Sequence, residues 1–262
     1  HPNVVQTYKH STRTQVLSLG EQQRTKTVRD MVGTSRILET WIVQEWCDRG
    51  TLRAFCCKPR VEGALLCEAL ELVIEIAQAL SYLHDRGIIH GDLTPNNVLL
   101  KSNASPKGVQ CKVCDFGLAR VLETDGEVSG IVTETMGTVT HMPPELFSIE
   151  SERRVLTRKA DIYALGIIMH EVISGVKPFA GLSPPQVVIK IATGKQLELP
   201  ECVRQDLVKV YKSCIMKNAQ DRPRLHEVIQ KLAGAHLELA GQSAPTGDEF
   251  CRGLMDFVAG VV

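Results

Sequence analysis

The sequence predicts an α+β fold, a small set of β elements joined to a larger helical body. Three observations carry this. β-branched and aromatic runs are confined to the first half, at 1–9, 38–46, 97–100 and 109–116. A long helix-period segment, 65–83, lies among them. Beyond residue 160 the pattern is helical almost to the end. The chain has 262 residues, 44% of them hydrophobic, which is enough for a sizeable core and argues against wholesale disorder.

"HPNVVQTYK" (1–9) reads as a short strand. Residues 10–36 are polar and irregular, long for a connection, and are expected to form a mobile insertion. "LETWIVQEW" (38–46) is again β-branched and aromatic, a second strand. After Gly50 the character changes. From Leu65 to Leu83 the positions Leu66, Leu70, Val73, Ala77 and Leu80 form one apolar stripe, with Ala69, Leu72, Ile76, Ala79 and Leu83 beside it. Glu68, Glu71, Glu75 and Gln78 are expected on the wet side. Asp85-Arg86-Gly87 ends the helix.

Two short apolar pieces follow, "NVLL" (97–100) and "VQCKVCDF" (109–116), separated by the turn-rich "KSNASPKG". They read as a hairpin. Asp92 and Asn97 then stand before its first strand and Asp115 after its second, so three side chains converge at one mouth. Carboxylate and amide oxygens suit a hard cation such as Mg²⁺, which also keeps waters and accepts phosphate oxygens. Singly, each has an ordinary explanation as a turn or strand-end residue.

The remainder reads as scaffold. Ile162–Val172 is apolar nearly all round, as a buried helix should be, and Asp161 is placed either to cap it or to reach the 90–97 loop. Ser183-Pro184-Pro185-Gln186 has capping-box spacing with proline at the first helical position, and Gly194 can close that helix. Further helices are expected at about 204–216 and 224–236. His84, His141, His170 and His226 fall at separate points and read as surface or core residues rather than ligands. The tail from about 238 has a Gly/Ser/Pro opening and a short apolar end; it either extends freely or docks on the helical body.

Composition excludes some roles. Lys+Arg and Asp+Glu balance at 30 each, so no charge excess points to nucleic acid or an anionic membrane. No run approaches the roughly 20 apolar residues of a membrane span. The nine cysteines are odd in number and follow no framework spacing, which suits free thiols in a reducing, cytoplasmic setting. Cys111-x-x-Cys114 has no second ligand pair and reads as two strand cysteines rather than a zinc site.

Taken together, the motifs resemble the greater part of a eukaryotic protein kinase catalytic domain. His90-Gly91-Asp92-Leu93-Thr94-Pro95-Asn96-Asn97 resembles the catalytic loop H-R-D-L-x-x-x-N, and Asp115-Phe116-Gly117 matches D-F-G. Pro143-Pro144-Glu145 stands where A-P-E belongs, and Asp161 to Gly166 resembles the start of the central large-lobe helix. Arg222-Pro223 matches the late arginine that pairs with the A-P-E glutamate. "HPNVV" resembles the segment after helix C, and "IVQEWCDRGTL" (42–52) the last small-lobe strand and hinge. Five ordered motifs at plausible spacing are a specific signal, whereas a lone D-F-G would not be.

The resemblance implies a two-lobed kinase-like fold, mostly the helical large lobe with a truncated small-lobe sheet: 1–46 a small-lobe remnant with the 10–36 insertion, 47–234 the large lobe, 235–262 a C-terminal extension. It implies a protein serine/threonine kinase using ATP and Mg²⁺ on protein substrates. Asp92 would orient and deprotonate the substrate hydroxyl, and Asn97 and Asp115 would hold Mg²⁺. Thr138 would brace Asp92 and seat the hydroxyl. The backbone from Glu45 to Cys47 would bind adenine, with Gln44 as gatekeeper and Val98 and Leu99 beneath the ring. Glu145 and Arg222 would form a buried ion pair, and Thr133 and Thr135 are the candidate phosphorylation sites of the activation segment.

Three departures stand out. Gly91 replaces the H-R-D arginine, and Thr94 replaces a lysine that touches the transferring phosphate. The loop still follows the serine/threonine pattern x-P-x-N and, with the "RPxxxEV" ending, points to the tyrosine-kinase-like group. No glycine-rich loop, V-A-I-K lysine or helix C glutamate is present; these belong before His1, so the chain is expected to be a fragment or an unusually short gene product. The alternative reading is a pseudokinase, a binding module that keeps the fold without efficient transfer.

Overall fold

The computed structural model describes residues 1–17, 35–105, 107–121, 138–147 and 155–243. Thr133 and Thr135 lie outside them. The chain divides into two units, residues 5–46 and residues 1–4 with 47 onward.

The smaller unit is one antiparallel hairpin, β1 (Thr7–Leu17) paired with β2 (Ser35–Gln44), with Thr7 opposite Gln44 and Leu17 opposite Ser35. This corrects the expectation for 10–36: residues 10–17 and 35–36 are paired strand, and 18–34 lie outside the described residues. Polar character misled there. Thr12, Thr14 and Val16 alternate with polar residues, and β-branched side chains suit an extended backbone whether or not a face is buried.

The larger unit is helical. After α1 (Leu52–Phe55) comes α2 (Gly63–Asp85), then β3 (Ile88–Ile89), β4 (Val98–Ser102), β5 (Val109–Val113) and β6 (Arg120–Val121). β4 and β5 form the expected hairpin, Val98 opposite Val113. β3 pairs with β6, which ties the chain after the hairpin back to the end of α2. Val4 adds a parallel bridge to Val113, and Asn3 Nδ2 donates to Cys111 O at 3.1 Å.

Then follow α3 (Arg158–Ser174), α4 (Pro184–Ala192), α5 (Gln205–Cys214) and α6 (Leu225–Ser243). Every residue of α3 from Ala160 onward is buried, as its all-round apolar sequence requires. The Thr157 hydroxyl caps α3 by accepting from Lys159 N at 3.3 Å. α4 carries the expected capping box, Ser183 with Gln186. α6 continues through residue 243, past the 234/235 point where an extension was expected to begin.

Both stripes of α2 are buried against α3 and α6. Its supposed wet side is not fully wet, because Glu71 and Glu75 are buried too. Lys107, from the β4–β5 turn, reaches Glu75 at 2.7 Å and Glu71 at 3.3 Å. Glu75 also accepts from Cys111 N at 2.7 Å, and His236 of α6 lies 3.1 Å from Glu71. Burial raises the Glu75 carboxyl above its ordinary range despite the lysine. Burial pushes Glu71 up as well, but the His236 hydrogen bond and the Lys107 charge outweigh it and hold that carboxyl low. Helical period predicts which residues share a face; it does not predict that a distant lysine and histidine will cover that face.

Candidate functional site

The 90–97 loop is held from below by one buried carboxylate. Asp161, in the first turn of α3, accepts from His90 N at 2.9 Å, from Gly91 N at 3.0 Å and lies 2.8 Å from His84 Nε2. Two backbone amides and an imidazole therefore fix the loop's first turn to the central helix, which is the second of the two roles open to Asp161. His90 is wholly buried. Its Nδ1 accepts from Asp92 N at 3.4 Å, so Nε2 is the nitrogen that donates to Cys114 O at 3.0 Å. The residue before Asp115 is thereby tied to the residue before Gly91.

On this base Asp92 and Asn97 are locked together. Asn97 Nδ2 donates to Asp92 O at 2.7 Å and to Asp92 Oδ2 at 3.1 Å. Asp92 Oδ1 accepts from Thr138 N at 3.0 Å. The Asp92–Thr138 contact runs through the threonine amide, not its hydroxyl. Pro95 forces the turn, and Thr94 closes it: its Oγ1 accepts from Asn96 N at 3.3 Å and its carbonyl from Asn97 N at 3.0 Å. Thr94 is buried, so its side chain serves the turn.

Asp115 joins the pair from the far end of the hairpin. Cys114 N donates to Asn97 O at 2.9 Å, which sets the two chain segments side by side. Asp115 has φ of 60°, a left-handed backbone that a non-glycine residue rarely adopts. Its Oδ1 accepts from Gly117 N at 3.2 Å. The orientation of Asn97 Nδ2 toward Asp92 turns Oδ1 the other way, and the Asp115 carboxylate is exposed. Asn97 Oδ1 and the Asp115 carboxylate are hard oxygen donors on adjoining chain segments. That donor set fits Mg²⁺.

The nucleotide-side candidates fall in both units. In the hairpin unit, Gln44 Nε2 donates to Thr7 Oγ1 at 3.2 Å, and Glu45 N donates to Gln6 O at 2.8 Å. The Glu45 amide is therefore engaged within the hairpin. In the helical unit Cys47 precedes the segment that pairs with β4, where Arg49 N donates to Leu100 O and Leu100 N to Gly50 O. Val98 is a correction: its side chain is wholly buried in the helical core. Strand alternation sends Val98 and Leu100 inward and leaves Leu99 on the opposite, half-buried face.

Behind the site, Glu145 and Arg222 form the expected ion pair, with Arg222 Nη1 and Nη2 each 2.7 Å from a carboxylate oxygen. Arg53 and Glu171, which carry no sequence signal, and His141, expected only as a surface or core residue, also support the loop. Arg53 N donates to Pro95 O at 3.0 Å, and the Arg53 guanidinium pairs with Glu171 of α3. His141 sits on the same carboxylate, its Nε2 3.9 Å from Glu171 Oε2. No local pattern marks these three, since Arg53 comes from α1, His141 from the turn at 139–141 and Glu171 from α3.

This geometry coincides with family membership. A family model described as protein tyrosine and serine/threonine kinase matches residues 5–232. The chain belongs to the protein kinases. Among relatives, it is 30% identical over 192 residues to the serine/threonine/tyrosine-protein kinase HT1 of Arabidopsis thaliana, covering 73% of this kinase chain and 46% of that protein. It is 29% identical to a Raf homolog serine/threonine-protein kinase of Caenorhabditis elegans, covering 82% of this chain and 27% of the relative. A putative mitogen-activated protein kinase kinase kinase 7-like protein of Drosophila melanogaster matches 98% of this chain at 26% identity, over 63% of its own length. The kinase chain thus spans less than two thirds of each of these relatives.

Proposed function

We propose that this chain is the substrate- and metal-handling part of a serine/threonine protein kinase, which transfers the γ-phosphoryl group of ATP to a protein hydroxyl. The observation that carries this is the anchoring of Asp92. One carboxylate oxygen is fixed by Asn97 Nδ2 and the other by Thr138 N, so the group is aimed rather than free. A carboxylate held in this way can orient a substrate hydroxyl and take its proton as the oxygen attacks. Asn97 and Asp115 are the residues that would hold Mg²⁺ on the phosphates. When bound, that ion neutralises charge on the transferring group. Hydroxyl-type specificity is supported by the x-P-x-N pattern of Thr94 to Asn97 and by relatives described as serine/threonine kinases, while other relatives are described as tyrosine kinases. The eight described cysteines are free thiols, which supports a cytoplasmic setting.

The test is transfer of labelled γ-phosphate to serine-, threonine- and tyrosine-containing peptides by the protein that carries this chain. Label should appear on serine or threonine. Asp92→Asn should reduce it by about 10²–10⁴-fold with the melting temperature unchanged. Label on tyrosine alone would reject the specificity, and an Asp92→Asn protein with full turnover would reject the mechanism.

A further inference from the structure

The central helix α3 carries two buried carboxylates. Asp161, at its start, is satisfied by the amides of His90 and Gly91 and by His84. Glu171, near its end, has a side chain only 1% exposed and no such amides. Its Oε1 meets Nη1 of Arg53 from α1, and its Oε2 stands 3.9 Å from Nε2 of His141. No other described residue donates to either oxygen. Desolvating a carboxylate at that depth is costly, and a buried ion pair returns little net stability over apolar residues of the same volume. Packing alone therefore does not account for an acid at this position.

Both of its contacts lead back to Asp92. Arg53 N donates to Pro95 O at 3.0 Å, in the turn between Asp92 and Asn97. On the other side His141 N donates to Thr138 O at 2.9 Å, and Thr138 N donates to Asp92 Oδ1 at 3.0 Å. A neutral imidazole whose Nδ1 accepts from the Thr140 hydroxyl, 3.0 Å away, carries its proton on Nε2, facing Glu171. At 3.9 Å this is an electrostatic contact rather than a hydrogen bond. The contacts close a ring, from Asp92 through Thr138, His141, Glu171, Arg53 and Pro95 and along the loop to Asp92 again. The 90–97 loop and the 138–141 turn hold the Asp92 carboxylate from two sides, through Asn97 Nδ2 and Thr138 N. One buried carboxylate stands behind both.

We infer that Glu171 is a positioning residue for phosphoryl transfer: through Arg53 and His141 it sets the 90–97 loop against the 138–141 turn, and so aims the Asp92 carboxylate. This role rests on the reading of Asp92 as the group that takes the substrate proton. Glu171 acts by fixing where Thr138 N meets Asp92 Oδ1, not by touching the reacting atoms. Without its charge, Arg53 loses its partner on α3, and His141 loses the carboxylate it faces. Asp92 then keeps its Asn97 contact but loses the second restraint, and its carboxylate is free to turn from the hydroxyl. A displacement of about 1 Å in such a group lowers turnover on the order of 10²-fold even when the substitution is remote.

Transfer of labelled γ-phosphate to a serine-containing peptide is measured for the protein that carries this chain, as wild type, Glu171→Gln, Asp92→Asn and the double variant, at a temperature where all are folded. Glu171→Gln should lower kcat by about 10²-fold with KM for ATP unchanged. In the Asp92→Asn background the same substitution should cost almost nothing further, because aiming a group that cannot take the proton has no effect. If Glu171→Gln melts early with the Arg53 charge uncompensated, Arg53→Met/Glu171→Leu replaces the pair by apolar side chains, and should melt like wild type while still losing kcat. An equal loss in both backgrounds, or full turnover in Glu171→Gln or in Arg53→Met/Glu171→Leu, overturns the positioning role and leaves the role of Asp92 standing. Full turnover in Asp92→Asn overturns the proposed function itself, and the positioning role with it.

Discussion

Arg222 and Glu145 meet as a bidentate pair, with both arms of the guanidinium fork 2.7 Å from a carboxylate oxygen. The arginine side chain is wholly buried while 28% of the glutamate side chain is exposed. Arg222 also donates from Nε to Met216 O and from Nη1 to Lys159 O, both at 2.9 Å. One side chain therefore fastens the end of the activation segment, the start of α3 and the turn before α6.

Arg222→Ala should cost about 3–5 kcal/mol, because it orphans the Met216 and Lys159 carbonyls and leaves Glu145 without its partner. For a chain of this size that corresponds to a melting point lower by about 10 °C. Arg222→Lys should recover little, since an ammonium cannot reproduce the fork. Thermal melts of the two variants check this. If Arg222→Ala melts with wild type, the pair does not hold the segment.

Asp161 is a second point of concentration. Asp161→Asn keeps shape and volume but turns one acceptor into a donor facing backbone N–H groups. The expected loss is about 1–3 kcal/mol for an unsatisfied buried group. Because those amides belong to His90 and Gly91, the variant should also loosen Asp92 and reduce phosphoryl transfer beyond what the stability loss explains. Comparing turnover at a temperature where both proteins are fully folded separates the two effects. Unchanged turnover there would show that the loop holds its shape without the carboxylate.

Much of this architecture was legible because it rests on local pattern. The period of α2, the proline turn at Pro95, the capping box at Ser183 and the hairpin at 97–113 are all set by neighbouring residues. The convergence of Asp92, Asn97 and Asp115 followed from that hairpin alone. What escaped depends on residues far apart in sequence. Glu71 and Glu75 looked wet because Lys107 and His236 cover them only in the folded chain. Val98 was assigned to the nucleotide side because a four-residue apolar run does not announce its inward phase. The strand at 10–17 escaped because its sequence is mostly polar and shows no apolar alternation with a period of two. The contact of Arg53 with Glu171 has no sequence signal.

Gly91 stands where the family motif carries arginine, and its geometry explains why the substitution is not passive. Its φ is 78°, and a Cβ there would lie 2.9 Å from Leu118 O and 3.1 Å from Leu156 Cδ2. Gly91→Ala should destabilise by about 1–2 kcal/mol from the left-handed backbone alone, with more from displacement of Leu118. Leu118 directly follows Asp115-Phe116-Gly117, so the variant should also lower transfer. Urea melts and turnover measured on Gly91→Ala check both. A variant as stable and as active as wild type would show that the 118 region yields freely.

His141 should make the helical unit acid-sensitive. It is fully enclosed, and burial with the nearby Arg53 charge pushes its imidazole down to about 3. Around it stand Thr140, whose Oγ1 is 3.0 Å from Nδ1, and Glu171, whose charge is paired with Arg53. The Glu171 carboxylate would favour a proton, but burial and the Arg53 charge outweigh it. The folded pKa lies below the unfolded value near 6.5, so the unfolded chain binds the proton more readily. Stability is therefore fully present above about pH 6.5 and is lost as pH falls toward 3, at up to about 1.4 kcal/mol per pH unit. Burial lowers His170 as well, which acts in the same direction. Glu71 and Glu75 shift in opposite directions, Glu71 down and Glu75 up, and are common to both proteins compared below. His141→Asn keeps a polar group beside Thr140 but cannot titrate. Its stability, followed by urea denaturation from about pH 7 to about pH 5, should decline less steeply than that of wild type, because only wild type gains a proton at 141 on unfolding. Parallel profiles would mean that His141 titrates alike in both states, and that the enclosure of the Glu171–Arg53 pair opens to water well before the fold is lost.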